Sequence, residues 1–288
     1  MIDYINIKKL DITNLPEGVT ISTMCASGKL GTKLYISNIA NYLELNPNSV
    51  ITVKESQTKI RTLRTKKKRK TKKKKPVVNN TKRKQNSFFN QITVEIRVNS
   101  GDYNSLEEES IINVKLFKNG SIQMSGCKKI ESINTVLNKL IDELKIIKAT
   151  MEDGSIVEKQ FIEDYEKINI YDFKIDMINS NYAVNLIINR EKLYNILLEK
   201  QIRCRYEPCI HACVTVKYIP PKDNEEEKVI SVFVFEKGSI IITGAKKKSH
   251  IISAYNYIND IIKENSSEIE KKDLDTIIMS SEFKHLMI

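Results

Sequence analysis

The chain has 288 residues, 41% of them hydrophobic, which is enough for two small domains or one duplicated domain with a real core. No apolar run reaches the length of a membrane span, and the first residues show no signal-peptide pattern. These features exclude a membrane partner and predict a soluble, intracellular protein. The formal net charge is +11.

The positive charge is concentrated in one segment. Residues 59–84 contain 15 Lys or Arg and no acidic residue, so the rest of the chain is slightly acidic. Because like charges repel and this segment has little apolar surface to bury, we expect a disordered Lys-rich insert at about residues 51–86. Such a segment is typical of a nucleic-acid-binding arm or a nuclear-import signal.

The predicted elements begin after an N-terminal extension of residues 1–17. An opening strand is predicted at residues 18–24 and a short helix at residues 37–45, both before the insert. After the insert, alternating apolar residues predict a strand at residues 91–98. A second alternating run follows, with Ile112, Val114 and Leu116 on one face.

One stretch of sequence occurs twice. Residues 116–129, LFKNGSIQMSGCKK, recur as residues 234–247, VFEKGSIIITGAKK, with seven identical positions at a constant offset of 118. Each copy has an apolar strand pattern, a turn that contains Gly and a second strand pattern, which predicts a β-hairpin. The apolar period then becomes helical, at residues 130–144 and 251–262.

The duplication extends upstream of the hairpins. Residues 173–179 predict an opening strand and residues 190–200 a helix, so each copy is predicted as strand, helix, four strands and helix. The first repeat spans residues 18–145 and the second residues 171–263. The inter-repeat segment, residues 146–170, and the C-terminal tail, residues 264–288, lie outside the repeats.

The two repeats predict an α+β fold. Their strands are expected to pair into one continuous antiparallel sheet with the helices on one side, because each helix has a single apolar stripe. The other side of the sheet would be bare. A sheet of this size with one bare face needs a ligand or a partner.

The cysteines and histidines give no strong signal for a metal or for catalysis. The odd number of cysteines, five, indicates a reduced compartment. Cys204, Cys209, His211 and Cys213 lack the paired spacing of structural zinc sites, so no metal or other cofactor is predicted. The chain has three His and no nucleophile-elbow, Walker or zinc-protease motif, so no catalytic residue and no enzymatic activity are predicted.

The duplicated hairpin resembles the signature of the TATA-box-binding protein family. FKNGSIQMSGCKK and FEKGSIIITGAKK are similar to its F-x-S-G-K-[IMV]-[VI]-x-T-G-A-K motif, RYEPCIHACVTVKY to its Y-E-P-E-L-F-P-G-L stretch, and LELNP to its E-Y-N-P. The resemblance covers about residues 18–263 without the insert and the inter-repeat segment. It implies a saddle whose curved sheet sits on the minor groove of double-stranded DNA, with helices on the convex face.

The resemblance also implies roles for individual residues. Phe89, Phe117 and Phe235 match the wedges that kink DNA, and the fourth wedge position falls on His211. The concave face would contain Thr93, Lys115, Gln123, Ser125, Thr215, Lys217, Phe233, Ile241 and Thr243, with Lys128 and Lys246 on phosphates.

Several positions depart from the family pattern. Glu95 replaces an Arg near the DNA backbone, where a carboxylate facing phosphates would be repelled. The paired central Asn of the family fall on Val19 and Asp176, unless the register slips to Asn179 or Asn181. Sequence preference for a TATA element is therefore not implied.

The resemblance implies partners as well as DNA. Glu207 and Pro208 match the loop where the family docks general transcription factor IIB, and RNA polymerase would be recruited with it. The predicted function is a DNA-bending transcription initiation factor that acts as a monomer on DNA, in the nucleus or in a viral factory or virion. The alternative is a degenerate saddle that recruits proteins and binds DNA only non-specifically through its basic arm. Together with the divergence from the family and the large insert, a composition typical of an AT-rich genome favours a giant DNA virus or an AT-rich protist as the source.

Overall fold

In the computed structural model, segments with alternating apolar residues form β-strands. The structure describes residues 12–56, 58–64, 90–99, 110–150, 154–221 and 228–271. The chain divides into two compact units. The described part of the first unit lies within residues 25–174, and that of the second consists of residues 12–24 and 175–271. No helix in these described ranges is long and apolar enough to cross a membrane.

The described residues up to Glu158 form ten elements, and β1 begins in the second unit and ends in the first. In chain order they are β1 (Thr20–Lys29), α1 (Ile36–Tyr42), β2 (Val50–Lys54), β3 (Ile60–Thr62), β4 (Gln91–Arg97), β5 (Ile111–Phe117), β6 (Ser121–Cys127), α2 (Ile130–Leu144), β7 (Lys148–Thr150) and β8 (Ile156–Glu158). In the first unit the strand order is β1-β6-β5-β4-β2-β3, and β7 and β8 form a separate hairpin.

The described residues from Tyr171 onward form eight elements. They are β9 (Tyr171–Ala183), α3 (Arg190–Glu199), β10 (Cys204–Arg205), β11 (Cys213–Tyr218), β12 (Ile230–Phe235), β13 (Ser239–Ala245), α4 (Lys248–Glu264) and α5 (Ser266–Ile269). In the second unit the strand order is β10-β11-β12-β13-β9, with antiparallel pairing throughout.

Each unit buries one face of its sheet beneath its longest helix. In the first unit Ile112, Val114 and Leu116 of β5 are fully buried, and α2 packs on β4, β2 and β6 with its predicted apolar stripe buried. In the second unit α4 packs on β13 and β12. The predicted α+β class, with antiparallel strands and helices on one face, is confirmed within each unit.

The register confirms the predicted alignment of the two hairpins. Thr93 lies opposite Lys115, and at the matching positions Thr215 lies opposite Phe233. The turn glycines explain why the motif repeats. Gly120 and Gly238 have φ of +84° and +76°, and a Cβ on either would lie 2.2 Å from a backbone oxygen, of Thr32 or Val184 respectively. A larger residue cannot occupy either turn without displacing the segment against it.

In each unit a segment that follows the longest helix returns to pair with an earlier linker. In the first unit the linker from β1 to α1 pairs with the returning chain at Leu34 and Ile162, and in the second unit the linker from β9 to α3 pairs with it at Ile188 and Glu270. Part of the inter-repeat segment and the start of the tail therefore pair with the units that precede them. Phe161, which is 1% exposed, belongs to this part of the first core.

The structure corrects the start of the Lys-rich insert. Residues 50–54 and 60–62 form β2 and β3, so the described residues form five strands between α1 and α2, where four were predicted. Arg61 anchors β3 because its guanidinium donates to carbonyls at the C-terminal end of α1, to Ala40 O at 2.8 Å and to O of Leu43, the residue that follows the helix, at 2.8 Å. Burial lowers the pKa of Arg61. Residues 65–89, which contain most of the predicted insert, lie outside the described residues.

Replacing Phe161 by Ala should destabilise the protein by about 3–5 kcal/mol, because it removes a fully buried aromatic ring and leaves a cavity. The matched control is Ile156→Ala in the neighbouring hairpin, where the side chain is 67% exposed and a loss under about 1 kcal/mol is expected. Urea denaturation measures both. Equal effects of the two substitutions would contradict the packing described for the returning segment.

Candidate nucleic-acid interface

In the second unit, the face of the sheet that α4 does not cover is built from alternate residues of five strands, β9 to β13. Strand geometry directs Val214, Val216, Val232 and Val234 into the core, so their neighbours point the other way. We call this surface the open face of the second unit. It contains Arg205, Cys213, Thr215, Lys217, Ser231, Phe233, Phe235, Ser239, Ile241, Thr243, Asn179 and Asn181.

Two half-buried aromatic rings and several cations share a cleft on this open face. Phe233 lies between Thr215 and Ile241 in the cross-strand register, and Phe235 lies opposite Cys213. The cleft has a volume of about 690 Å³ and is also lined by Arg203, Arg205, His211 and Lys217. The structure thus brings together Phe235 and the exposed His211, which the sequence proposed as wedges.

The polar part of the open face is held by local hydrogen bonds. The Lys217 ammonium donates to Ser231 Oγ at 2.7 Å, and Thr243 Oγ1 donates to Asn179 Oδ1. Thr20 Oγ1 donates to Asn181 Oδ1 at 3.2 Å. The amides on this surface are therefore Asn179 and Asn181, while Val19 is buried before β1 begins.

The first unit has the same backbone positions but different chemistry. Its open face contains the predicted residues Thr93, Lys115, Gln123 and Ser125, together with Asn113. Lys115 and Gln123 are exposed where the second unit has Phe233 and Ile241. Phe117 is half-buried opposite Gln91, and Phe89 lies outside the described residues.

Glu95 is the largest correction to the sequence-based interpretation. It does not face solvent as a repelling carboxylate: it is 4% exposed, and its oxygens accept hydrogen bonds from Lys54 and, at 3.3 Å, from Arg64 Nη1. Burial alone would raise the pKa of Glu95. The hydrogen bonds from Lys54 and Thr52 and the charges of Lys54 and Arg64 outweigh burial, so the pKa lies below its ordinary value.

The remaining predicted residues lie at the ends of elements. Lys128 and Lys246 are exposed between the last strand and the long helix of their respective units. Pro208 is exposed, and Glu207 forms an ion pair with Arg205 at 2.7 Å. The hydrogen bond from Arg205 is the main cause of a lowered pKa at Glu207.

The cysteine-rich stretch does not assemble a metal site in the described part of the chain. Cys209 and His211 are exposed, Cys204 is half-buried and Cys213 is buried. The described residues contain no group of three or more Cys, His, Asp or Glu that could hold a metal ion.

Sequence reasoning missed the cations on the outer strands. Lys54 lies opposite Thr93, and Arg205 lies opposite Thr215, so the two units place a cation at matching positions. The strands that contain them have five and two residues. Elements this short give almost no periodic signal, and the only available clue was that each follows the first helix of its repeat.

Comparison with known proteins identifies the family. The family described as transcription factor TFIID, or TATA-binding protein (TBP), matches residues 172–265, which lie in the second repeat. A TATA-box-binding protein-like protein of Acanthamoeba polyphaga mimivirus is 37% identical over 267 residues, covering 88% of this chain and 67% of that protein. The chain belongs to the TATA-box-binding protein family. As a TBP-family member it is a DNA-binding transcription factor and not an enzyme.

A solved structure, Methanococcus jannaschii TBP, covers 85% of this chain and 98% of its own, with 18% identity and a TM-score of 0.48. The match to the mimivirus protein agrees with the giant virus that the sequence favoured as a source.

Replacing Glu95 by Gln should lower the stability of this TBP-family protein by about 1–3 kcal/mol at pH 7, because Lys54 and Arg64 lose a charged acceptor. The folded-state pKa of Glu95 is depressed, so its contribution is present above the ordinary value of 4.5 and is lost as the pH falls through the lower folded-state value. Thermal melts should therefore show a gap between wild type and variant that narrows from pH 7 to pH 3. A gap independent of pH would contradict this assignment.

Proposed function

We propose that this TBP-family protein binds double-stranded DNA in the minor groove through its open faces and bends it at promoters. The observation that carries the proposal is the cleft of the second unit, where Phe233 and Phe235 lie beside Arg203, Arg205 and Lys217. Apolar rings next to cations suit a ligand that combines stacked bases with phosphates.

The chemistry of the minor groove supports this choice. Its edges present few base-specific donors and acceptors, so a protein there recognises groove width and deformability with apolar and small polar groups. Thr215, Ile241 and Thr243 supply such groups around the two rings. A ring that enters between base pairs unstacks them and kinks the duplex.

The two units contribute unequally in this proposal. The second offers Phe233 and Ile241 where the first offers Lys115 and Gln123. Cations bind phosphates whatever the sequence, whereas wedges depend on how easily a base step opens. The second unit therefore sets the sequence preference, and the first mainly adds affinity.

The protein on DNA would then recruit initiation factors. Glu207 and Pro208 form the surface for a partner like transcription factor IIB, with RNA polymerase following, and the protein acts as a monomer in the nucleus or in a viral factory. The polar first unit favours the alternative, a recruitment module that binds DNA only non-specifically. Bending distinguishes the two hypotheses, because only the first requires it.

Replacing Phe235 by Ala should reduce DNA bending more than it reduces total binding, because the kink depends on the ring while phosphate contacts remain. Energy transfer between dyes on the two ends of a short duplex measures bending, and fluorescence anisotropy measures binding. The control is Leu198→Ala on α3, an exposed apolar residue outside the open face, which should change neither. Wild-type protein that binds without changing the end-to-end distance would support the alternative.

Deleting residues 66–84 should weaken binding to all duplexes alike, because the deleted Lys and Arg release counterions without contacting bases. If about six of their charges engage phosphates, the slope of log affinity against log salt should become shallower by about five units. Filter binding over a range of salt concentrations measures the slope. An unchanged slope would assign this segment to nuclear import alone.

A further inference from the structure

The cross-strand register shows that one matching position has opposite charge in the two units. Lys217 of β11 lies opposite Ser231, and the matching position of β4, opposite Asn113, is Glu95. A cation on the open face of one unit thus has a carboxylate as its counterpart in the other. If that carboxylate were exposed, the first unit would repel phosphates at this position.

Two cations cover that carboxylate. Glu95 is almost fully buried, and its partners Lys54 and Arg64 keep 37% and 50% of their side-chain surface exposed. The three groups together have a formal charge of +1. A guanidinium has five N–H donors, so Arg64 retains donors after its bond to Glu95 at 3.3 Å.

The position of Arg64 places it beside a row of polar side chains. Thr62, two residues earlier, shares a hydrogen bond with Thr52, and Thr52 lies opposite Glu95. The neighbouring row runs across β2, β4, β5 and β6 through Lys54, Thr93, Lys115 and Gln123. Arg64 therefore extends a cationic surface that already contains Lys54 and Lys115.

We propose that Arg64 is a DNA-phosphate contact of the first unit and that Glu95 is the positioning residue that holds it. The charge that Lys217 provides directly from β11 comes in the first unit from the end of the β2–β3 hairpin, anchored through the carboxylate on β4. This inference rests on the proposed binding of DNA by the open faces. It adds a contact that the repeat pattern does not contain. In the second unit β10 corresponds to β2 and is the edge strand, so no described strand corresponds to β3.

The arrangement also explains why a buried carboxylate is retained on a DNA-binding face. An Arg held through a charged hydrogen bond loses less conformational freedom on binding phosphate than a freely rotating side chain does. The Glu95 oxygens accept from both cations, so an approaching phosphate meets cations rather than the carboxylate.

The test compares single cation deletions by fluorescence anisotropy on one duplex over a range of salt concentrations. Arg64→Ala should weaken binding and make the slope of log affinity against log salt shallower by about 0.9, the value for one phosphate contact. The matched control is Lys59→Ala in the same hairpin, where the ammonium is held by Asn41 of α1 and Glu55, and the slope should not change. Thermal melts confirm that each variant is folded.

A second variant tests whether a cation at position 95 can replace Arg64. Adding Glu95→Lys to Arg64→Ala places a cation where the second unit has Lys217, and the slope should return to within about 0.3 of the wild-type value. Arg64→Lys should retain most of the slope. A folded Arg64→Ala protein that keeps the wild-type slope, or matches Lys59→Ala, overturns the proposal. A wild-type protein that does not bind DNA would instead overturn the proposed function.

Discussion

The absence of a side chain at Gly120 and Gly238 is the constraint on which each unit depends. Both turns press against the linker that follows the first strand, and the contact leaves no space for a Cβ. Hydrogen bonds join the same surfaces, from Leu30 N to Gly120 O at 2.8 Å and from Val184 N to Gly238 O at 2.9 Å. The turn therefore fixes the hairpin and the path to the first helix together, which sets the register of the open face.

Local patterns predicted the elements that bury one face. Strand alternation and the helical period located β5, β6 and α2 and their counterparts, because each side chain's environment follows from its own element. The sequence could not predict the partners of Glu95 or the return of Phe161 to the first core. Both depend on residues more than 30 positions apart, and the register that joins them follows from the sheet and not from either segment alone.

The comparison of the units separates the scaffold from the surface. Buried positions keep their character, as at Leu116 and Val234, while open-face positions on the same strands differ, with the half-buried Phe233 matching the exposed Lys115. Core residues are constrained by packing on both sides, whereas the open face is constrained only by what it binds. A duplicated fold can in this way carry two surfaces with different tasks at little cost to stability.

The second unit combines two segments that are far apart in the sequence, and this separation affects the order of folding during synthesis. Residues 25–174 of the first unit are contiguous in the sequence, so they can fold once Lys174 has left the ribosome. The second unit includes residues 12–24, which are made early, and Thr20 bonds to Asn181 across 161 positions. This early segment cannot pair until its partner strand β9 is made, and closing so long a loop is slow. Residues 12–24 therefore stay exposed without their native partner during most of synthesis.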